Sequence, residues 1–303
     1  MDDMCPNLTV CICTYNRGQS LQCTLDSLAS QRDIDWNSVE VVIIDNNCTD
    51  CTASVVEAYC RKLPIRRAVE ARQGLSYARN RALAEVQADL VLFTDDDVRL
   101  GPCWLAAYAD AFRRFPDADY FGGRILPDWD EAKPWWIGDE PLSLIDGALV
   151  WFDHGTETRM FRATEPPPFG ASFAIKRQLS DKIGLFRTDL GPGGIGRGFG
   201  DETEFLMRAR AAGAQGVYVG EACCFHAYDP RRLTLPALYR YGILCGRAHN
   251  VITDQPHRGR YDAAALFVAR GIFQMLKGRS DRCRQCIINA GIEMGTREPL
   301  VEE

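Results

Sequence analysis

Three polar segments stand where short apolar runs end, and their side chains suit the handling of a charged small molecule. Leu8 to Cys13 (LTVCIC) runs into Thr14-Tyr15-Asn16-Arg17, which places a hydroxyl, an aromatic face and a cation in one turn. Val39 to Ile44 (VEVVII) runs into Asp45-Asn46-Asn47-Cys48-Thr49-Asp50, and Asp89 to Phe93 (DLVLF) leads to Asp95-Asp96-Asp97. Each alone reads as readily as a polar turn. The aspartate triplet says most, because adjacent carboxylates repel and a hard divalent cation, Mg²⁺ or Mn²⁺, relieves the repulsion through oxygen ligands. Alternate residues of an extended chain leave it on the same side, so Asp95 and Asp97 can converge on one ion or its waters. An ion there would bridge diphosphate oxygens and offset charge on a departing nucleoside diphosphate. A Ca²⁺ loop of the EF-hand kind is excluded, since its glycine and distant glutamate do not follow at the required spacing.

A second acidic cluster, Asp201-Glu202-Thr203-Glu204, opens a helical pattern with Arg208 one turn on. Acids at a helix start complement its dipole. A carboxylate at that place can also take the proton of an attacking hydroxyl, and the residues alone leave both roles open. The glycine-rich stretch before it, Gly184 to Gly200, suits a site that opens and closes. His226 ends a short apolar run, where it is either structural or the nitrogen ligand that two carboxylates lack.

The elements that must hold these residues alternate. Between the apolar runs lie helical patterns: Ser20 caps one bearing Leu21, Leu25 and Leu28, and Asp50 caps another bearing Val55, Val56 and Tyr59. Ser76 precedes a third over Tyr77 to Val86, and Pro102 occupies the first turn of a fourth that carries Trp104, Leu105 and Tyr108. Asp119 to Ile125 is a weaker fourth strand. This order predicts an α/β fold with a mainly parallel central sheet flanked by helices, and ligands on such sheets bind at the strands' carboxyl ends. From Leu126 to Pro168 the pattern dissolves into Trp, Pro, Gly and acids, and Trp129, Trp135, Trp136 and Trp151 suggest an aromatic-lined wall. Helices dominate from Leu235 onward. The expected division is 1–230 as a catalytic domain, with a nucleotide-binding half at 1–125 and an acceptor-side half at 126–230, and 231–303 as a helical extension.

Bulk properties narrow the class. The 303 residues are 46% hydrophobic and 25% charged, with a formal net charge of −6, so no general affinity for nucleic-acid phosphates is expected. Met1 to Asn7 lacks the basic and apolar regions of a signal peptide, and no apolar run reaches transmembrane length. Ala263 to Leu276, interrupted by Arg270 and Gln274, reads as a packed or interfacial helix. A cytoplasmic protein is expected, with peripheral contact at the inner membrane face as a further option. The 13 cysteines are read as free thiols. Two C-x-x-C pairs, Cys48/Cys51 and Cys283/Cys286, lie too far apart in sequence to favour a zinc site. The phosphate-binding loop, serine-hydrolase and zinc-protease signatures do not occur.

The residues resemble family 2 glycosyltransferases, which have the GT-A fold. The matching segments are 10–17 (VCICTYNR), 42–50 (VIIDNNCTD), 74–81 (GLSYARNR), 93–97 (FTDDD), 169–175 (FGASFAI), 200–208 (GDETEFLMR) and His226. They span roughly residues 8 to 250 in the family's order. The resemblance implies that Thr14, Tyr15 and Asp45 hold the nucleobase and ribose, and that Arg72 and Arg79 help fix the nucleotide. Arg17 and Asp96 complete the nucleotide-sugar set. Asp95 and Asp97 would be the D-x-D pair holding Mn²⁺ or Mg²⁺, with His226 an optional third ligand, and Glu202 the general base with Asp201 as its neighbour. In the family the acidic pair runs Glu then Asp, whereas here the order is reversed, which leaves either Glu202 or Asp201 as the base, and Cys48 stands where a serine is usual.

The implied reaction is an inverting transfer from a nucleoside-diphosphate sugar, a UDP-sugar first, to a hydroxyl on a saccharide, lipid-linked or other acceptor, in polysaccharide or glycoconjugate synthesis. A nucleotidyltransferase would want a glycine- and lysine-rich loop in place of Thr14 to Arg17. A degenerate sugar-nucleotide-binding protein would not need carboxylates at both acidic clusters. For the C-terminal region, packing is preferred to a membrane surface, because net charge is negative and no clean amphipathic stripe emerges.

Overall fold

The computed structural model describes residues 6–129, 133–137, 144–193, 198–253 and 261–296. The glycine-rich lead-in at 194–197 and the first five residues of the leader region considered above lie outside them. The chain forms two compact units. The first comprises 1–128, 152–187 and 201–227, and the second comprises 129–151, 188–200 and 228–303.

The first unit is built on the buried runs. β1 (Leu8–Thr14), β2 (Val39–Asp45) and β4 (Leu90–Thr94) carry almost wholly buried side chains on both faces, as parallel strands covered by helices should. β3 (Ile65–Val69) joins as an outer strand beside β2. Among the described residues one sheet runs β3-β2-β1-β4-β8-β6-β9-β5, with β6 (Tyr120–Asp128), β8 (Ser172–Lys176), β9 (Gly216–Ala227) and the short β5 (Val98–Leu100). β7 (Arg159–Met160) pairs with β9. β8 lies antiparallel between β4 and β6, so it begins where β4 and β6 end. β6 and β9 are parallel with a register shift between Gly123 and Arg124. The ends of β1, β2, β4, β6 and β9 and the start of β8 therefore share one edge, and the site sits there.

Helices α1 (Gly18–Ala29), α2 (Thr52–Tyr59), α3 (Leu75–Glu85), α4 (Trp104–Arg114), α6 (Arg177–Ile183) and α7 (Asp201–Ala211) complete this unit. The starts of α1, α3 and α4 differ from the expected caps. Ser20 and Ser76 lie inside α1 and α3, and Pro102 precedes the first helical residue Trp104 by two positions. The start of α1 is held through tertiary contact instead, whereas that of α2 is held by Asp50 itself, two residues before Thr52, as expected. Asp50 Oδ2 accepts from Gly18 N at 2.8 Å while its Oδ1 accepts from Thr52 N at 3.0 Å and Thr52 Oγ at 2.6 Å, so one carboxylate serves both helices. These bonds hold Asp50 below the ordinary carboxylate range, the Thr52 hydroxyl most of all.

The described residues of 126–168 hold regular elements that the composition did not suggest: β6 extends to Asp128, and α5 (Leu144–Leu149) and β7 follow. Trp151 is buried against Trp129, which in turn meets Tyr228, whereas Trp135 is 82% exposed, so the tryptophans do not form one wall. The second unit also holds α8 (Leu235–Thr253), α9 (Tyr261–Leu276) and α10 (Ser280–Gly295). α8 and α10 meet at glycines: a Cβ on Gly291 would lie 2.2 Å from Tyr239 O, and one on Gly295 2.0 Å from Ile243 O. No helix among the described residues is long and apolar enough to cross a membrane.

Candidate active site

The turn after β1 and the turn after β2 are tied together. Asn16 and Asn47 both take positive φ, 51° and 69°, which asparagine tolerates better than most residues. Asn16 Oδ1 accepts from Thr49 N at 2.7 Å, and Asn16 N donates to Cys48 Sγ at 3.2 Å. The thiol thus still accepts a backbone hydrogen bond where a hydroxyl is usual. Asp45 is buried and accepts from Cys48 N at 2.7 Å through one oxygen and from Arg67 Nη1 at 2.6 Å through the other. Tyr15, in the same turn, is 49% exposed, which leaves an aromatic face open beside the strand ends.

Asn46 organises the next loop. Its Nδ2 donates to Glu70 O at 3.0 Å and Arg72 O at 2.7 Å, and its Oδ1 accepts from Gly74 N at 2.8 Å. Gly74 has φ of 137°, a conformation that admits glycine alone at low cost. Buried Glu70 takes the Arg72 guanidinium in a fork at 2.9 and 3.0 Å, and Arg72 lies over the Tyr77 ring at 4.8 Å with its tip toward solvent. Asn46, Arg67 and Glu70 were not singled out from the sequence. Asn46 sat inside a matching segment, but Arg67 and Glu70 carried no signal, because the strand IRRAV has no apolar run.

At the end of β4 the three aspartates part. Asp96 turns inward, accepting from Thr14 Oγ at 2.7 Å and from Arg17 Nη1 at 2.9 Å. Burial pushes its carboxyl up to about 6, against the pull of Arg17 and Thr14. Arg17 also reaches Asp97 at 2.9 Å. Asp95 and Asp97 face His226, whose Nε2 is 3.3 Å from Asp97 and 4.0 Å from Asp95. Burial raises Asp95, and the charge of Asp97 adds to this. His226 is placed by the pairing of β9 with β5, opposite Val98. Its Nδ1 lies 3.1 Å from Ala227 O, so the tautomer with hydrogen on Nδ1 leaves the Nε2 lone pair toward the carboxylates. Ligand atoms of Asp95, Asp97 and His226 all lie within 4.8 Å of one another. Two hard oxygens and an imidazole nitrogen fit a Mn²⁺-like ion.

The second acidic cluster splits differently. Asp201 is 1% exposed and bound to Arg79 Nη1 at 2.5 Å, while Glu202 lies 3.3 Å from the same nitrogen with its side chain 16% exposed. Arg79, expected to face the nucleotide, is itself buried and spends its charge on this pair. Glu202 Oε1 also accepts from Gly170 N at 3.3 Å, just before β8. Burial pushes the Glu202 carboxyl up to about 7, with the charge of Asp201 adding and that of Arg79 subtracting. A Cβ on Gly170 would lie 2.2 Å from Arg79 Nη2, on a guanidinium that is buried and paired with Asp201. Gly170→Ala should therefore displace the pair and lower turnover by about 10²-fold, the cost of roughly 1 Å of misplacement, with a much smaller change in donor affinity. Steady-state kinetics beside donor titration would check it; equal losses in both would contradict the geometry.

Comparison with known proteins shows the family and the fold. The model of the family described as "Glycosyl transferase family 2" matches residues 9–184, more than half the chain. The chain belongs to that family. A glucosyl-dolichyl phosphate glucuronosyltransferase of Haloferax volcanii is 25% identical over 188 residues, covering 61% of this chain and 57% of that protein. A validoxylamine A glucosyltransferase of Streptomyces hygroscopicus subsp. jinggangensis is 37% identical over 110 residues, covering 34% of this chain and 26% of that protein. The chain thus spans well under two thirds of the length of these curated relatives. The mannosyltransferase PcManGT from Pyrobaculum calidifontis, solved with GDP-Man and Mn²⁺, superposes with a TM-score of 0.62 at 19% identity, covering 96% of this chain and 88% of that one. Staphylococcus aureus TarS 1–349 with UDP gives 0.57 at 16% identity, covering 95% and 90%. These likenesses establish the GT-A fold, with its mainly parallel sheet between helices.

Proposed function

We propose that the protein transfers a sugar from a nucleoside-diphosphate donor to an acceptor hydroxyl, inverting the anomeric carbon. The observation that carries this reading is the shared strand edge, where an Asp95–Asp97–His226 ligand set and the partly exposed side chain of Glu202 lie in one compact unit. Thr14, Tyr15, Arg17 and Asp45 line the donor side, and Arg72 is a solvent-directed cation at its margin. Asp96 holds Thr14 and Arg17 in place. Solved neighbours carry GDP-Man in one case and UDP in another, so the fold serves more than one base, and a UDP-sugar is the first donor to try.

A divalent cation on Asp95, Asp97 and His226 would supply positive charge to the leaving diphosphate. Glu202 takes the proton of the acceptor hydroxyl as its oxygen bonds to the anomeric carbon, while the bond to the diphosphate oxygen breaks on the opposite face. Asp201, buried and paired, steadies Glu202 and does not reach the acceptor. Of the reversed acidic pair, the second residue is the more exposed, which supports Glu202 as the base. Residues 1–230 would contain this chemistry, with 231–303 as an extension to it.

Calorimetry tests the donor and the metal together. UDP- and GDP-sugars titrated into the protein should bind more tightly with Mn²⁺ than with chelator, by tenfold or more, and Asp97→Ala should erase that gain, since it removes a carboxylate at the ligand set. Binding indifferent to Mn²⁺ would refute the metal site. Binding of no sugar nucleotide would refute the donor.

A further inference from the structure

Helix α9 buries the smaller part of its surface. Ala264 and Gly271 are buried, and Phe267 and Gln274 partly so, a stripe at helical spacing that packs on α10. A Cβ on Gly271 would stand 3.4 Å from Cys283 O and Cys286 Cβ, so small residues let the two helices approach. From Leu266 onward the opposite face is apolar and open, with Asp262 on the same side in the first turn. Leu266, Val268, Ile272, Phe273, Met275 and Leu276 are between 38% and 80% exposed. At about 100° per residue they sweep roughly half the helix circumference. Isolated apolar side chains on a surface need no explanation, but a contiguous face of this kind marks a docking surface.

Charge and length say what docks. Arg270 and Lys277, seven residues apart, flank the apolar face on one margin, and Arg279 follows the helix. Lys277 Nζ lies 4.3 Å from the Phe273 ring centroid, its stem laid along the apolar surface and its charge at the rim. Residues 261–282 hold four basic and two acidic side chains, in a chain whose net charge is −6. Sixteen residues make a helix of about 24 Å, too short for a hydrocarbon core of about 30 Å. Pairing of two copies through this face would ring the patch with basic side chains and offer little beyond Asp262 to answer them.

We propose that α9 is an interfacial helix that seats on an anionic phospholipid surface. Its apolar face enters the head-group boundary, and Arg270, Lys277 and Arg279 meet the lipid phosphates. The inference is independent of the assignments at the active site and takes the interfacial alternative of the two readings of this helix.

Cosedimentation of the full chain with vesicles tests it, using phosphatidylcholine alone and phosphatidylcholine mixed with phosphatidylglycerol. Wild type should pellet with the mixed vesicles and far less with the neutral ones. Ile272→Glu with Phe273→Glu should weaken partitioning by more than about tenfold, since both side chains would lose apolar burial in the boundary. Arg270→Glu with Lys277→Glu should abolish the preference for anionic vesicles. All four positions are exposed, so thermal melting should match wild type and separate lost docking from lost folding. Failure of wild type to pellet with anionic vesicles would overturn the proposal. So would undiminished pelleting of the Ile272→Glu, Phe273→Glu variant, or a wild-type dimer in solution that this variant dissociates.

Discussion

Glu202→Gln should lower sugar transfer by about 10²–10⁴-fold, the usual worth of a positioned general base, and leave donor affinity unchanged. The amide keeps the shape of the side chain and can still accept from Gly170 N, so the local fold survives the change. What it loses is the ability to take a proton. The pH profile gives the sharper readout. Burial and the neighbouring Asp201 push the Glu202 carboxyl up to about 7, so wild-type kcat/KM should fall as pH drops through that value. Any residual activity of the variant should lack that limb. Stability moves the other way. A raised carboxyl pKa means the folded protein holds the proton more tightly than the unfolded chain, so stability is lost as pH rises from 4.5 toward 7. The glutamine variant, spared this loss, should melt above wild type at pH 8 and not at pH 4. Transfer within tenfold of wild type would sink the assignment of the base.

The parts of the fold legible in the sequence were those decided locally. β1, β2 and β4 are buried on both faces, so their apolar runs are continuous, and the polar residues that end them are easily seen. β3 was not, since an outer strand with Arg66 and Arg67 has neither a continuous run nor clean alternation. The starts of α1 and α3 were misplaced because the caps come from elsewhere in the chain. Asp50 serves α1 from 32 residues away, and Asn46 holds Gly74 from 28 away. The aspartate triplet was readable as a cation site, yet its inner member Asp96 is occupied by Thr14 and Arg17. α9 was obscured for the opposite reason. Its apolar residues go nearly all the way round, and only contact with α10 shows that the small ones were chosen for packing.

Arg79 is the residue whose role sequence reasoning could least supply, because on a helix reading GLSYARNR it is one of two similar cations. Arg81 pairs locally with Glu85, whereas Arg79 is 3% exposed and meets Asp201 across 122 positions. Burial alone would lower its pKa, and the charges of Asp201, Glu202 and Asp95 more than restore it, so the guanidinium stays charged where it lies. Arg79→Met should then cost about 3–5 kcal/mol of stability, because it leaves a buried carboxylate without its counterion. Asp201 can ill absorb that loss, since among the described residues its Oδ1 already has no hydrogen-bond partner. Pairing Arg79→Met with Asp201→Leu should recover much of the cost, as replacing both members of a buried ion pair commonly does. Urea denaturation of the two single variants and the double variant measures this directly. Where the Arg79 variant retains fold at low temperature, the acid limb of its activity should move to higher pH, since the charge that favours ionised Glu202 is gone. Lysine at the same position should restore the limb better than the stability, having the charge but not the length and planar shape with which the guanidinium fills this buried site. A loss below 1 kcal/mol for Arg79→Met would show that the carboxylates are held by something other than this cation.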